Sequence, residues 1–196
     1  QILALEWLEE GRLDAGGEEE LGRMLAATHR AGADRFGATP GGGDTQLGPL
    51  ALSNDPCEDW PAFYAERRLR PLAARAGLHP VVGRVCDRIA DLAGTAEPPA
   101  RLHGDLWSGN VLASGGHPYL IDPAVHGGHR EVDLAMLRLF GSPSPRTLAA
   151  YEEVAPLADG HADRVGLYQL FPLLVHAVLF GGGYVARAEA TARRYA

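Results

Sequence analysis

The chain has 196 residues, 18 basic and 25 acidic side chains and a formal net charge of -7, and every basic residue is arginine. Without lysine, this chain cannot supply a Schiff-base amine, a lysine general base or a phosphate-loop lysine. An acidic balance with few basic clusters argues against nucleic acid as the main partner, and 46% hydrophobic with 22% charged residues is the composition of one ordinary globular core.

In chain order, Ile2 to Leu8 reads as a strand, and no obvious partner follows in the next forty residues. The start is therefore expected to be a cut through a larger protein. Gly11 to Gly17 reads as a turn-rich link. A helix is expected from Glu18, with Leu21, Met24, Leu25 and Thr28 at helical spacing and acidic residues at the positive end of its dipole. Residues 32–56, rich in Gly, Pro, Asn and Asp, read as one long loop. Trp60 to Ala76 reads as a helix kinked at Pro71, in which Arg67, Arg68 and Arg70 are expected on a solvated face. Pro80 to Leu92 carries a cleaner apolar stripe, and residues 94–100 form a Pro-rich linker. Val111 to Ala113 and Tyr119 to Ile121, separated by Ser114-Gly115-Gly116-His117-Pro118, predict a β-hairpin. Helical patterns follow over 132–140, 147–154, 161–180 and from Tyr184.

The fold class expected is mainly α with a short β-hairpin. Cys57 and Cys86 are too few for a zinc site or a disulfide framework, which points to a reducing, cytoplasmic setting. The longest apolar stretch, Leu170 to Phe180, is too short to span a bilayer. No membrane partner is expected.

Chemistry concentrates between Leu102 and Asp133. Asp105 and Asn110 lie five positions apart in one turn, and Asp122 follows the second hairpin strand back to its open end. Carboxylate and amide oxygens suit a hard cation such as Mg²⁺. The order Asp-x-x-x-x-Asn, then an Asp after an apolar strand, is that of the catalytic and metal loops of kinases. Phosphoryl transfer needs one carboxylate to position and deprotonate the attacking hydroxyl, here Asp105. It also needs oxygens that hold metal against the phosphates, here Asn110 and Asp122. His103 reads as a buried histidine that orients the loop through backbone or Asp122. Arg130 and Asp133 read as a supporting pair at the start of the next helix.

His103-Gly104-Asp105-Leu106-Trp107-Ser108-Gly109-Asn110 resembles the signature of the fructosamine kinase (ketosamine-3-kinase) family, within the aminoglycoside phosphotransferase and choline kinase-like branch of the protein-kinase-like fold. Further likenesses are Leu5-Glu6-Trp7-Leu8, Asp59-Trp60, Glu66-Arg67-Arg68-Leu69, Ile121-Asp122-Pro123-Ala124, Arg130 to Met136, Leu167 to Leu170 and Leu179 to Tyr184. Two departures stand out: Thr45 where the family usually has Asn, and His126-Gly127-Gly128-His129 where a Tyr-Gly pattern is usual, near the expected substrate pocket.

The resemblance implies a hinge strand over residues 1–10 and the C-terminal, large lobe of a kinase-like α+β fold over 11–196, with catalytic and metal loops over 102–124. It implies ATP and Mg²⁺, with backbone of Glu6 and Leu8 at the adenine and Trp107 beside the substrate. It further implies phosphorylation of the sugar 3-hydroxyl of a ketosamine, a glycated amine or glycated protein lysine, in protein deglycation. Kinases of this fold also use a lysine and its Glu partner from the small lobe. That lysine is not in this chain, so the N-terminal lobe is expected to be missing from it. Competing readings are an aminoglycoside, choline or homoserine kinase-like enzyme and a catalytically silent kinase-fold binding module. A metal-dependent hydrolase using His103, Asp105, Asp122 and His126 or His129 is a further one.

Overall fold

A computed structural model describes residues 5–141 and 143–196. Helix α1 (Ala15–Arg30) starts earlier than the acidic run suggests, because Asp14 caps it by accepting the Gly17 N–H at 2.8 Å. Leu21, Leu25 and His29 form its buried stripe. The expected strand before it does not form over its described part, and Gln1 to Ala4 lie outside the described residues. Residues 5–10 run without strand pairing, with Leu5 74% and Trp7 83% exposed. Gly11, just past this stretch, donates its N–H to the Ala113 carbonyl at 2.8 Å, but residues 5–10 pair with no strand, and an unpaired strand does not hold in water.

Residues 32–56 are not one loop. They contain a hairpin of β1 (Thr45–Leu47) and β2 (Leu50–Leu52), with Gln46 opposite Ala51. Three-residue strands are too short for their alternation to stand out among the surrounding glycines. The next helix runs as α2 (Trp60–Phe63), a π-helical segment (Tyr64–Leu69) and α3 (Arg70–Arg75). Pro71 has no N–H to donate. The carbonyl of Arg67, four residues back, accepts from its neighbour's Arg68 Nη1 at 3.0 Å. The stripe over 80–92 is two helices, α4 (His79–Asp87) and α5 (Ile89–Leu92), broken at Arg88.

Strand β3 (Ala100–Leu102) leads through the catalytic segment and a 3₁₀ turn (Ser108–Asn110) into β4 (Val111–Ser114) and β5 (His117–Leu120). Gly115 and Gly116, at φ 58° and 88°, close this hairpin, as a two-residue turn of positive φ requires. Strand β6 (His126–Gly128) pairs antiparallel with β3, Leu102 opposite His126. Helices α6 (Glu131–Leu139), α7 (Pro145–Val154), α8 (His161–Phe180) and α9 (Gly183–Ala192) complete the described chain. None of its helices is long and apolar enough to cross a membrane.

Two apolar cores flank the catalytic segment. One gathers α2 to α4, α8 and α9 with Leu102; the other gathers α1 and α7 with Leu106. Helix α6 serves both, sending Val132, Ala135 and Leu139 into the first and Leu134 and Leu137 into the second. His103, Gly104 and Asp105 lie between Leu102 and Leu106, at the seam.

Contact between α1 and α7 depends on Gly22, where a Cβ would stand 2.2 Å from the Thr147 carbonyl oxygen. Alanine there gains about 1 kcal/mol of helix propensity. The overpacking costs about 1–3 kcal/mol and should win. Gly22→Ala is expected to lower the thermal midpoint; a raised midpoint would show that the two helices separate freely.

Candidate active site

Asp133, at the third position of α6 and 1% exposed, fixes the catalytic loop. Its Oδ2 accepts the His103 N–H at 2.7 Å and its Oδ1 the Gly104 N–H at 3.0 Å. His29 Nε2 donates to Oδ2 at 3.2 Å, while His29 Nδ1 lies 2.8 Å from the Tyr151 hydroxyl. Burial alone would raise the Asp133 carboxyl, but the hydrogen bonds from His29 and the Gly104 N–H outweigh it. The group is held below its ordinary range.

The expected Arg130–Asp133 pair does not form. Arg130 turns away to Glu97, two bonds of 2.7 Å, and to the carbonyls of Ala155 and Pro156. It precedes the first turn of α6 and faces the 97–99 linker, while Asp133 points inward.

His103 is buried and bridges the two loops. Its Nδ1 accepts the Asp105 N–H at 3.3 Å, so the ring's one N–H lies on Nε2, which donates to the Ile121 carbonyl at 2.9 Å. The Ala124 N–H donates to the His103 carbonyl at 2.8 Å. Gly104, at φ 83°, permits this approach, since a Cβ there would lie 2.1 Å from the Ala124 oxygen.

Asp105 is half-buried, and desolvation raises its carboxyl above the ordinary value although His103 and Asn110 pull the other way. Asn110 Nδ2 donates to the Asp105 carbonyl at 2.8 Å and to Oδ2 at 3.2 Å. Among the described residues nothing donates to Asn110 Oδ1, which leaves a hard oxygen for a ligand. Asp122 follows Ile121, whose N–H donates to the Asn110 carbonyl at 3.1 Å. It is exposed, takes φ 50° where a non-glycine residue is uncommon, and has no ion-pair partner among the described residues. An amide oxygen and a free carboxylate on loops joined by that backbone bond have the chemistry to suit a hard cation such as Mg²⁺. No three His, Cys, Asp or Glu side chains group as a metal site among the described residues. The histidines of the hydrolase reading are committed elsewhere: His103 to Ile121, His126 Nδ1 to the Ala124 carbonyl at 2.9 Å, and His129 to a stack on Tyr168 at 5.2 Å.

Asp105 opens onto a cavity of ≈ 410 Å³ walled by Trp107, Phe140, His176, Phe180, Tyr184 and the hairpin tip Leu47–Gly48. His176 packs among the rings of Phe140 (4.7 Å), Tyr184 (5.0 Å) and Phe180 (5.4 Å). Trp107 is 41% exposed and lies against Gly109, where a Cβ would meet its indole at 2.2 Å. It thus packs the loop and walls the cavity at once. Hollows of ≈ 490 and ≈ 610 Å³ lie elsewhere, but neither contains Asp105, Asn110 or Asp122. His126 and His129, expected near the substrate pocket, are core residues and do not line the Asp105 cavity. Glu6 and Leu8 stand on the unpaired segment before α1.

The sequence profile of the family described as fructosamine kinase matches residues 1–195. The chain belongs to the fructosamine kinase family. It is 39% identical over 194 residues to a probable ketoamine kinase of Synechocystis, covering 95% of this chain and 65% of that protein. It is also 39% identical to a probable ketoamine kinase of Thermus thermophilus, covering 93% of this chain and 68% of that one. The chain thus spans about two thirds of the length of these curated relatives. A candidate fructosamine-3-kinase from Thermobifida fusca superposes with a TM-score of 0.88 at 49% identity, covering 96% of this chain and 67% of that one. A choline kinase from Streptococcus pneumoniae superposes with a TM-score of 0.62 at 16% identity, over 96% of this chain and 68% of its own. That likeness concerns the fold alone, which is kinase-like.

Several residues of the candidate site in this fructosamine kinase family chain carry little signal in the sequence. His29 continues the Leu21–Leu25 stripe at the next i+4 position, and that periodicity was its signal. His176, Phe140 and Tyr184 come from three elements and are brought together only by the packing of α6, α8 and α9.

An Asn at position 133 offers one oxygen to donors that now use two. Asp133→Asn should cost about 1.5–3 kcal/mol at pH 7, read from urea unfolding. A depressed folded pKa stabilises above the unfolded value near 3.9, and that contribution is lost as pH falls through the folded pKa. The gap between wild type and variant should therefore narrow below about pH 4; a gap constant from pH 7 to pH 3 would contradict the assigned charge.

Proposed function

We propose that this chain carries the base and metal ligands of an ATP- and Mg²⁺-dependent kinase acting on the 3-hydroxyl of a ketosamine sugar. The observation that carries the reading is the tether of Asn110 to the Asp105 carboxylate at the edge of an aromatic-walled cavity, in a chain of the fructosamine kinase family. Asp105 accepts the proton of the substrate hydroxyl as its oxygen attacks the γ-phosphorus. The new bond is sugar oxygen to phosphorus, the broken one joins that phosphorus to the β,γ-bridging oxygen, and ADP leaves. Burial suits Asp105 to the role by making it a better proton acceptor than an exposed aspartate.

Asn110 Oδ1 and the Asp122 carboxylate would hold Mg²⁺, which when bound neutralises charge on the phosphates. His103 keeps the two loops in register, so the base and the ion-holding oxygens move together. The cavity wall of Trp107, Phe140, His176 and Tyr184 offers ring faces to the sugar and to the cationic amine it is attached to. The substrate is a glycated small amine or a glycated protein lysine. The phosphorylated adduct decomposes without further catalysis and frees the amine, which is deglycation. Backbone of Glu6 and Leu8 meets the adenine, and the phosphate-holding lysine comes from an N-terminal lobe outside this chain. The absence of lysine here and the two-thirds share of the relatives' length support that division. The free thiols of Cys57 and Cys86 suit a reducing cytoplasm.

The test is ADP release by the full-length protein with Mg-ATP and a panel of fructose, ribulose and erythrulose adducts, with choline and an aminoglycoside as controls. Asp105→Asn should lower kcat on the ketosamine by about 10²–10⁴-fold while nucleotide affinity stays within about twofold. Unchanged turnover would remove Asp105 from its role; turnover of choline or the aminoglycoside alone would replace the substrate.

A further inference from the structure

The dense basic stretch of the sequence does not form one solvated face, because Arg68 is 1% exposed. No carboxylate pairs with it among the described residues. Its Nη1 donates to the carbonyls of Ser53 (2.8 Å) and Arg67 (3.0 Å), and its Nη2 to Asn54 Oδ1 at 2.7 Å. The guanidinium carbon sits 4.6 Å from the centroid of the Phe63 ring, and Nε has no partner. A buried cation held by neutral oxygens and a ring face is a costly arrangement. Burial brings its pKa down to about 10, so the side chain keeps its charge at neutral pH.

Asn54, 5% exposed, passes this contact to the hairpin. Its Nδ2 donates to the Gly43 carbonyl at 2.9 Å and to Thr45 Oγ1 at 3.0 Å, and its own carbonyl accepts from Arg35 Nη1 at 3.0 Å. Thr45 is the first residue of β1. Two residues on, Leu47 and then Gly48 enter the wall of the cavity that contains Asp105. One amide therefore links a helix buried in the main core to the strand that carries the cavity wall.

We propose that Arg68 and Asn54 are positioning residues for the acceptor side of the site, clasping the β1–β2 hairpin so that Leu47 and Gly48 close the cavity beside Asp105. The kinetic part of this inference rests on the reading of the cavity as a ketosamine site; the clasp itself does not. Arg68→Met keeps the buried apolar stem but leaves the Ser53 carbonyl and Asn54 Oδ1 without their donor, so exchange in α8 is read beside the hairpin to separate the clasp from the fold. Asn54→Asp separates them in another way. It gives Arg68 the carboxylate it lacks, and the Thr45 hydroxyl, 3.2 Å from Asn54 Oδ1, can still donate to that carboxylate. Yet it removes the N–H bond to Gly43 and sets a carboxylate against that carbonyl oxygen, which loosens the start of the hairpin.

The experiment uses the full-length protein and two readouts, amide hydrogen exchange over residues 45–52 without substrate and steady-state kinetics with a ketosamine and Mg-ATP. Both variants should exchange these amides at least about tenfold faster, with α8 unchanged. In both, KM for the acceptor should rise about tenfold, while kcat and KM for ATP stay within about twofold. Unaltered exchange over 45–52 in Asn54→Asp overturns the clasp, as does a parallel rise of both KM values. If the wild type phosphorylates no ketosamine, the reading of function fails, and the exchange data still decide the clasp.

Discussion

The Asp133 carboxylate is the reference point for everything around the site. A loop that must present a carboxylate to substrate cannot pair its own backbone in a sheet, and His103 and Gly104 carry N–H groups buried away from water. Left unpaired, such donors are costly. Asp133 takes both, one on each oxygen, and His29 fills the remaining direction. With those two amides pinned, the His103 ring and carbonyl are free to fix Ile121 and Ala124. The loop of Asp122 is thus measured from the same carboxylate as Asp105.

Two cores make this arrangement rigid. Helix α6 is apolar on opposite sides because it forms the wall between them, and Asp133 leaves that wall where Leu102 and Leu106 anchor the loop on either side. Neither core alone would fix the loop, since each holds only one of its ends. The cavity opens at the outer edge of the seam, where α8 turns into α9 at Gly181 and Gly182 and the ring cluster around His176 lines the wall. The β1–β2 hairpin closes the other side and is tied to the first core through Asn54 and Arg68.

The spacing of Asp105, Asn110 and Asp122 was legible because it is set locally, by one turn and one hairpin whose two-glycine turn the sequence spells out. The helical stripes of α1, α8 and the hairpin β4–β5 were legible for the same reason. What could not be read was pairing across distance. Arg130 and Asp133 are i,i+3 neighbours and invite a pair, yet their partners, Glu97 and His29, come from a linker and from a helix a hundred residues earlier. Arg68 sits among arginines that do face solvent, and only the π-helical turn before Pro71 and the packing on Phe63 put it inside. Leu5 to Leu8 has strand composition, but composition does not supply a neighbouring edge.

Asp105, Asp122 and Asp133 differ in what surrounds them, and that difference distinguishes them more firmly than spacing does. Asp133 is saturated: both oxygens accept hydrogen bonds in a buried site, so it is structural whatever ligand arrives. Asp122 is exposed, free of protein partners among the described residues and held at a positive φ that only its tied neighbours maintain. That is the condition of a side chain that keeps its oxygens for something outside the chain. Asp105 lies between these limits, half-buried with one oxygen tethered by Asn110 and the carboxyl turned to the cavity. Partial desolvation raises its proton affinity, and the tether fixes its direction, which is what a base needs and a ligand does not. A single buried anchor, an open carboxylate and an intermediate one within one segment of thirty-odd residues is the division of labour that the proposed phosphoryl transfer would require of a loop.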